Sequence, residues 1–185
     1  VCGANGTVTP ADAVSVLPGG STSFVARADT YYHIGQLLSN GVADARAAGI
    51  AAYTSRWTNV RADGSVQAAF TANLATLGTP EWWLAKYGWT SGFSAWETKD
   101  TDGDGRTAWQ EYVANTDPTN AASCFAITSI SNTLPLSVFF NSSTGRIYTL
   151  LSTTNLVSGS WSAVSGAGPR FGVGDTDAFR DTNRP

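Results

Sequence analysis

The residues with the clearest chemical meaning lie in one acidic window. Four of the 14 Asp and Glu residues fall within residues 100–111, which read Asp-Thr-Asp-Gly-Asp-Gly-Arg-Thr-Ala-Trp-Gln-Glu. Acidic residues stand at positions 1, 3, 5 and 12 of this window, and Gly105 stands at position 6. This spacing is that of the calcium-binding loop of an EF-hand, in which the glycine permits a sharp turn that aims the carboxylates inward.

Calcium takes six to eight hard oxygen ligands, and the loop predicts most of them. Four of the predicted ligands are carboxylates, those of Asp100, Asp102, Asp104 and Glu111. The fifth is the backbone carbonyl of Arg106. Position 9 is Ala108, so a ligand there is expected to be a water molecule. The alternative is a solvated acidic turn that caps a helix, although three Asp at alternate positions repel one another without a cation.

Short helices are expected on both sides of this loop. A helix over residues 108–114 would turn Glu111 back toward the loop, and it ends before Pro118 because the residue preceding a proline avoids helical geometry. Thr79, Pro80 and Glu81 predict a helix with Thr79 as its N-cap, which Gly88 ends. A third short helix is predicted over residues 93–97.

The rest of the chain has the pattern of short β-strands separated by turns. The strongest hairpin signal is Asn40-Gly41, since both residues tolerate the positive φ angles of a two-residue turn. Val66, Ala68 and Phe70 alternate and predict one buried face. Strands are predicted over residues 6–9, 13–17, 21–27, 32–38, 53–57 and 65–70, and again over residues 125–130, 136–140, 146–151, 161–164 and 178–180.

These elements predict a mainly β protein with two small β-sandwich domains joined by a short helical, calcium-binding segment. The expected divisions are a first sandwich over residues 1–74, the helical segment over residues 75–122 and a second sandwich over residues 123–185. Domains of this size bury only about 60% of the surface that their unfolded chain exposes, so their stability is marginal. Calcium is therefore expected to stabilise the fold rather than to act as a signal.

Three parts of the chain resemble known families. Residues 3–10, 17–24, 40–41, 57–60 and 62–70 resemble, in order and spacing, the immunoglobulin-like repeats of large secreted and surface bacterial proteins. Residues 100–120 resemble the calcium loops of thrombospondin type 3 repeats and dockerins, although dockerins carry two such loops and this chain has one. These resemblances imply a spacer or adhesive module, structural calcium and no catalytic residues.

Residues 145–156 and 159–161 resemble the terminal β-sandwich that follows calcium-loop segments in long secreted bacterial proteins. That pattern implies one more aromatic-rich strand after residue 183, and the second sandwich is expected to lack it. The first strand of the first sandwich is also expected to be incomplete. Open sheet edges favour pairing with a strand of another molecule.

Two cysteines, Cys2 and Cys124, stand where neither resembled module usually carries one. They are therefore disulfide candidates, either with each other within one chain or between neighbouring copies; the third alternative is that they are unpaired. The composition is typical of an exported protein, in which a disulfide can persist. An extracellular or cell-surface location is expected.

Four tryptophans form a conspicuous group around the predicted helices: Trp82, Trp83, Trp89 and Trp96. They either fill the core beside the calcium loop or form a stacking face for a ligand such as a sugar ring. The pattern is compatible with both roles.

Composition excludes several classes of function. The net charge is −3, and nine Arg and two Lys are scattered without a cluster, which argues against nucleic acid as a partner. No apolar run is long enough to span a membrane. One His and two Cys supply little for nucleophilic or transition-metal catalysis. The chain is therefore expected to be no enzyme.

The sequence predicts a calcium-stabilised extracellular module, which serves as a surface spacer or as a fibre subunit assembled by strand pairing. Its expected partners are copies of itself or other modules of a longer surface protein. The alternative is a carbohydrate-binding or adhesive module that recognises polysaccharide through exposed tryptophans.

Overall fold

A computed structural model describes residues 3–131 and 133–181. The fold is mainly β, with 34% of residues in strands and 11% in helices, and its sheets are antiparallel. Within the described residues, no helix has both the length and the apolar character needed to cross a membrane. The chain divides into two compact units, Val1–Ser94 and Ala95–Pro185.

The first unit contains two three-stranded sheets. Its strands are β1 (Gly6–Thr9), β2 (Thr22–Ala28), β3 (Tyr32–Ser39), β4 (Val42–Ala43), β5 (Ala52–Trp57) and β6 (Val66–Ala72). One sheet has the order β1-β2-β5 and the other the order β4-β3-β6. A 3-10 helix, Ala45–Ala47, connects β4 to β5.

Both sheets of the first unit contribute to one hydrophobic core. Val66 and Ala68 are buried from β6, with Phe70 partly buried on the same face, which confirms the predicted alternation. In β3, however, Ile34 and Leu37 are both buried although they are three residues apart. A register shift between Ile34 and Gln36 explains this, because a bulge turns the following side chains to the opposite face.

The Asn40-Gly41 hairpin is confirmed. Both residues have positive φ angles, 52° and 78°, and they join β3 to β4 with Ser39 opposite Val42. The Asn40 side chain also accepts a 2.8 Å hydrogen bond from the amide of Ser65, which leads into β6. This turn therefore connects three strands of one sheet.

The strand predicted over residues 13–17 is wrong. The segment has no regular structure, and four of its five residues are exposed. It is flanked by Pro10 and Pro18, which have no amide hydrogen for strand pairing. Val14 and Val16 instead line a groove of about 820 Å³ beside Phe24 and Trp57.

Helix α1 (Glu81–Lys86) lies in the first unit, and α2 (Phe93–Trp96) follows it in the chain. The prediction that Thr79 is the N-cap of α1 is wrong, because the cap position is Pro80 and no side chain bonds the helix start. Thr79 is buried, and its carbonyl accepts a 2.9 Å hydrogen bond from Ala75. That contact belongs to a β-bridge between Leu74 and Pro80, which keeps the backbone extended.

Among its described residues, the second unit contains helix α3 (Ala108–Ala114) followed by seven strands. These strands are β7 (Ile127–Ile130), β8 (Leu136–Asn141), β9 (Ile147–Tyr148), β10 (Leu151–Ser152), β11 (Ser162–Ala163), β12 (Arg170–Phe171) and β13 (Thr176–Asp181). They form a three-stranded sheet of order β13-β8-β7 and two pairs, β9 with β12 and β10 with β11.

The core of this unit is aromatic. Phe140 lies at 5.3 Å from Phe179 and 5.2 Å from Tyr148, measured between ring centroids, and Phe125 stacks on Tyr148 at 5.7 Å. Ala167, which is also buried, packs in the same cluster. These contacts link the three-stranded sheet to the short β9 strand.

Two strand predictions differ from the structure in this unit. The strand predicted over residues 146–151 is divided into β9 and β10, because Leu150 leaves the ladder and its amide bonds the carbonyl of Ala167. The sequence analysis missed β12, whose two residues carry no strand pattern of their own. The additional strand predicted after residue 183 lies outside the described residues.

The division into three segments stays a prediction. Helix α1 falls in the first unit, whereas α3 and the acidic loop fall in the second unit together with β7 to β13. The acidic loop and the second group of strands are therefore parts of one compact unit.

Candidate metal centre

The acidic loop is closed at its base by two backbone hydrogen bonds. The amide of Ala108 donates to the carbonyl of Lys99, and the amide of Trp109 donates to the carbonyl of Glu97, both over 2.9 Å. These bonds hold the start of α3 beside the residues that precede Asp100. The ends of the loop are therefore held together by contacts that need no cation.

The carboxylate of Asp100 organises the interior of the loop. Its Oδ1 accepts a 2.7 Å hydrogen bond from the amide of Gly103, and its Oδ2 accepts a 2.9 Å bond from the amide of Gly105. Both glycines have positive φ angles, 82° and 91°. Residues with a Cβ rarely adopt this region, which gives glycine a physical advantage at both positions.

Asp102 and Asp104 each use one oxygen for the loop and leave the other without a partner. Oδ1 of Asp102 accepts from the amide of Asp104 at 3.2 Å, and Oδ1 of Asp104 accepts from the amide of Arg106 at 2.7 Å. The Oδ2 atom of each residue is buried and has no hydrogen-bond partner among the described residues. A buried carboxylate oxygen without a partner is costly unless a cation or water satisfies it.

Glu111 reaches the site from the first turn of α3. The helix start is fixed by a capping box, in which the Thr107 hydroxyl accepts from the Gln110 amide and the Gln110 side chain accepts from the Thr107 amide. Glu111 is 1% exposed. Its Oε1 accepts a 3.3 Å hydrogen bond from the Thr116 hydroxyl, whereas its Oε2 is buried and has no hydrogen-bond partner among residues 3–131 and 133–181.

The pKa of Glu111 is raised by burial and by the negative charges near it. Burial, followed by the charges of Asp102 and Asp104, raises the pKa of Glu111 from its ordinary value of 4.5 to about 7. Ion pairs of the described residues include Arg46–Asp44 and Arg170–Asp177, both outside the loop. No Lys or Arg among the described residues balances the four carboxylates of the loop.

The positions of the oxygens suit a single cation. One carboxylate oxygen from each of Asp100, Asp102 and Asp104 lies within 4.8 Å of the other two. Two oxygens bound to one Ca²⁺ at about 2.3–2.6 Å are at most about 5 Å apart. The oxygens of Asp102 and Asp104 that have no partner among the described residues are a second, independent feature expected of a metal centre. Glu111 has such an oxygen as well, but its carboxylate does not belong to the cluster of three aspartates.

The predicted ligands at positions 7 and 9 of the loop stay predictions. Arg106 is exposed, and the predicted contribution of its carbonyl at position 7 stays a prediction. The buried methyl group of Ala108 at position 9 offers no oxygen, so a ligand there would be water. Carboxylates, a carbonyl and water are ligands of calcium rather than of zinc or copper.

The four tryptophans proposed for ligand stacking do not share one environment. Trp83 and Trp89 are buried in the first unit, at 6% and 8% exposure, and the ring of Tyr87 lies 4.8 Å from Trp83. Trp82 is 40% exposed. Trp96 is half-buried, with the Lys99 ammonium 4.0 Å from its ring centroid. Ligand stacking therefore stays a prediction for Trp82 and Trp96, and packing accounts for the other two.

The proposed disulfide stays a prediction. Cys124 is half-buried in the second unit, and its carbonyl accepts a 2.7 Å hydrogen bond from the Asn141 side chain. Cys2 lies outside the described residues.

Three residues of the centre were missed by the sequence analysis. The T-x-x-Q pattern of Thr107 and Gln110 is a recognisable capping-box signal that positions α3. Thr116 carries no comparable signal, because its contact with Glu111 depends on how the chain leaves α3 through Asn115. That residue adopts a left-handed conformation with φ 62°, which turns residue 116 back toward the helix.

Comparison of the chain with protein-family models, with curated proteins and with solved structures found no match.

Proposed function

We propose that this chain is a non-enzymatic extracellular structural module stabilised by one calcium ion. The observation that carries the proposal is that Asp102, Asp104 and Glu111 each have a buried carboxylate oxygen with no hydrogen-bond partner in the described part of the chain. A calcium ion beside these oxygens would offset two of the four negative charges of the loop and supply the partner that the oxygens lack. The immunoglobulin-like character of the two units belongs to the same proposal.

The location of the loop supports a structural role for the ion. The loop lies in one compact unit with β7 to β13, and that unit has a small buried core of Phe140, Ala167 and Phe179. Small cores leave a domain marginally stable unless other contacts contribute. An ion bound only by the native state adds about 2.7 kcal/mol when its concentration is 100 times Kd.

The edge of one sheet supports the proposal that copies assemble through strand pairing. Within the described part of the chain, β7 pairs with β8 on one side, and all four of its residues are exposed, including Ile127 and Ile130. The strand contains no charged residue and no proline, two features that commonly prevent an open edge from pairing with another strand. A register shift between Ile127 and Ser129 is the feature of this strand that would hinder such pairing.

Calcium titration of the purified protein tests the first part of the proposal. We expect one ion per chain by isothermal titration calorimetry, and slower proteolysis of residues 95–122 in calcium than in chelator. Magnesium at the same concentration is the control, since the loop is expected to prefer the larger ion. No heat of binding and identical digestion in both buffers would contradict the calcium site.

Light scattering and negative-stain microscopy test the second part. Thr128→Lys places a charge in β7, and we expect it to reduce assembly; Thr154→Lys, at an exposed loop position, is the matched control. A wild-type protein that stays monomeric at high concentration would contradict strand pairing and leave the calcium site standing.

A further inference from the structure

One arginine connects the candidate metal centre to the strands of the second unit. Nη2 of Arg146 donates a 2.6 Å hydrogen bond to the carbonyl oxygen of Tyr112 in α3, and its guanidinium lies 5.3 Å from the centroid of the Tyr112 ring. Arg146 is 34 residues from Tyr112 in the chain. It follows Gly145 in the connection between β8 and β9.

The acceptor of this hydrogen bond is adjacent to the ligand at position 12. Glu111 and Tyr112 are consecutive residues of α3, so a cation at the Glu111 carboxylate and Arg146 at the Tyr112 carbonyl would hold successive residues of one short helix. The carbonyl of Tyr112 lies in the last turn of α3, where it also accepts a 3.3 Å hydrogen bond from the amide of Asn115. A cationic donor is favourable at that end.

The backbone of Arg146 is itself held by the strands. Its amide donates to the carbonyl of Ser143 at 3.3 Å, and its carbonyl accepts a 2.9 Å hydrogen bond from Gly172, which follows β12. The side chain is half-buried, and its Nε is buried without a hydrogen-bond partner among the described residues. The backbone of the arginine is therefore held in the sheet region, while its side chain donates a hydrogen bond to α3.

We infer that Arg146 is a positioning residue of the metal centre. It holds the last turn of α3 against the β8–β9 connection and so places Glu111 for cation binding. By linkage, a cation on Glu111 then stabilises the strands that hold Arg146. This inference rests on the proposed calcium site and assigns to Arg146 a role that the loop sequence does not reveal.

Calcium affinity of the folded protein is the readout that separates positioning from general stabilisation. Arg146→Ala removes the donor, Arg146→Gln keeps part of its length with a neutral donor, and Arg146→Lys keeps the charge. We expect Kd for calcium to rise about fivefold to tenfold for the alanine variant, less for glutamine and least for lysine. Each Kd is measured by isothermal titration calorimetry at one pH and ionic strength.

Arg170→Ala is the matched control. Arg170 is also half-buried in the second unit, where it donates to Asp177 and to the carbonyl of Ala178, and its guanidinium lies 4.5 Å from the Phe179 ring centroid. It has no hydrogen bond to α3 among the described residues. We expect this variant to unfold at lower urea concentration while its Kd for calcium stays within a factor of two of the wild-type value.

The outcomes separate this inference from the proposed function. Wild-type protein that binds no calcium contradicts both. If the wild-type protein binds calcium and all three Arg146 variants have the wild-type Kd, the positioning role alone is contradicted. An equal rise in Kd for Arg170→Ala also contradicts it, because general destabilisation would then explain the effect. If Arg146→Ala does not fold, the Kd values of Arg146→Lys and Arg146→Gln are compared. A higher Kd for Arg146→Gln than for Arg146→Lys supports the positioning role, and equal values contradict it.

Discussion

The amide of Gly105 donates a 2.9 Å hydrogen bond to Oδ2 of Asp100, so the sixth residue of the acidic loop is tied to the first. The φ angle of 91° at Gly105 makes this approach possible. Asp100 therefore orders the backbone with both of its oxygens, while Asp102 and Asp104 each keep one oxygen without a partner. This difference between the three aspartates underlies the predictions for the loop.

Gly105→Ala tests the backbone requirement of the loop. An added Cβ meets no atom within 4 Å, so the cost is the left-handed φ angle, roughly 1–2 kcal/mol. We expect weaker calcium binding, by about tenfold, in calorimetric titration. Gly166→Ala is the control, since Gly166 has φ 77° and open space in the same unit. If both variants bind calcium like the wild type, the loop geometry does not depend on Gly105.

Glu111→Gln tests the buried ligand. The substitution preserves size and burial but removes the negative charge and one carboxylate oxygen from the site, so the affinity for calcium should fall about 100-fold. Calorimetry of the folded variant is the measurement. Glu81→Gln, in the first turn of α1, should bind as the wild type does. Undiminished affinity of Glu111→Gln would exclude Glu111 as a ligand.

Stability of the calcium-free protein should depend on pH through Glu111. Because the folded-state pKa is raised to about 7 from 4.5, the folded state favours the protonated form. Protonation of Glu111 therefore contributes up to about 3 kcal/mol to the free energy of unfolding. This contribution is fully present below pH 4.5 and is lost as the pH rises through 7. Urea unfolding of calcium-stripped protein at pH 5 and pH 8 measures the difference.

Two controls accompany this pH experiment. Glu111→Gln should remove most of the pH dependence, because the amide does not titrate. Saturating calcium should reverse the trend in the wild type, since calcium binds the ionised carboxylate. A calcium-stripped wild type that is more stable at pH 8 than at pH 5 would show that other groups dominate.

Phe140→Ala tests the aromatic core of the second unit. Phe140 is buried against Phe179 and Tyr148, and removing a buried phenyl ring costs about 3–5 kcal/mol. Phe171→Ala provides the comparison, because Phe171 is exposed and its truncation should cost under about 0.5 kcal/mol. Urea unfolding measures both. Similar losses for the two variants would contradict the assignment of this core.

Local signals in the sequence were sufficient for several features. The hairpin at Asn40-Gly41, the alternation of Val66 and Ala68 and the helix over residues 108–114 depend on neighbouring residues, and the structure agrees with each. The ligand pattern of the acidic loop is local as well. Spacing along the chain is enough to bring Asp100, Asp102 and Asp104 together.

Other features depend on contacts between distant residues, which the linear pattern does not encode. The bulge beside Ile34 arises from pairing with β6 and sends both Ile34 and Leu37 into the core. The predicted strand over residues 13–17 has the composition of a strand but forms no pairing in the structure. The bond from Arg146 to Tyr112 joins residues 34 positions apart.

Residue types and spacing therefore establish the acidic loop. The packing of the second unit, in contrast, determines that the Glu111 side chain is buried and that Arg146 bonds the residue next to it. The physical reason is that burial and long-range hydrogen bonds are properties of the assembled core and of no single segment.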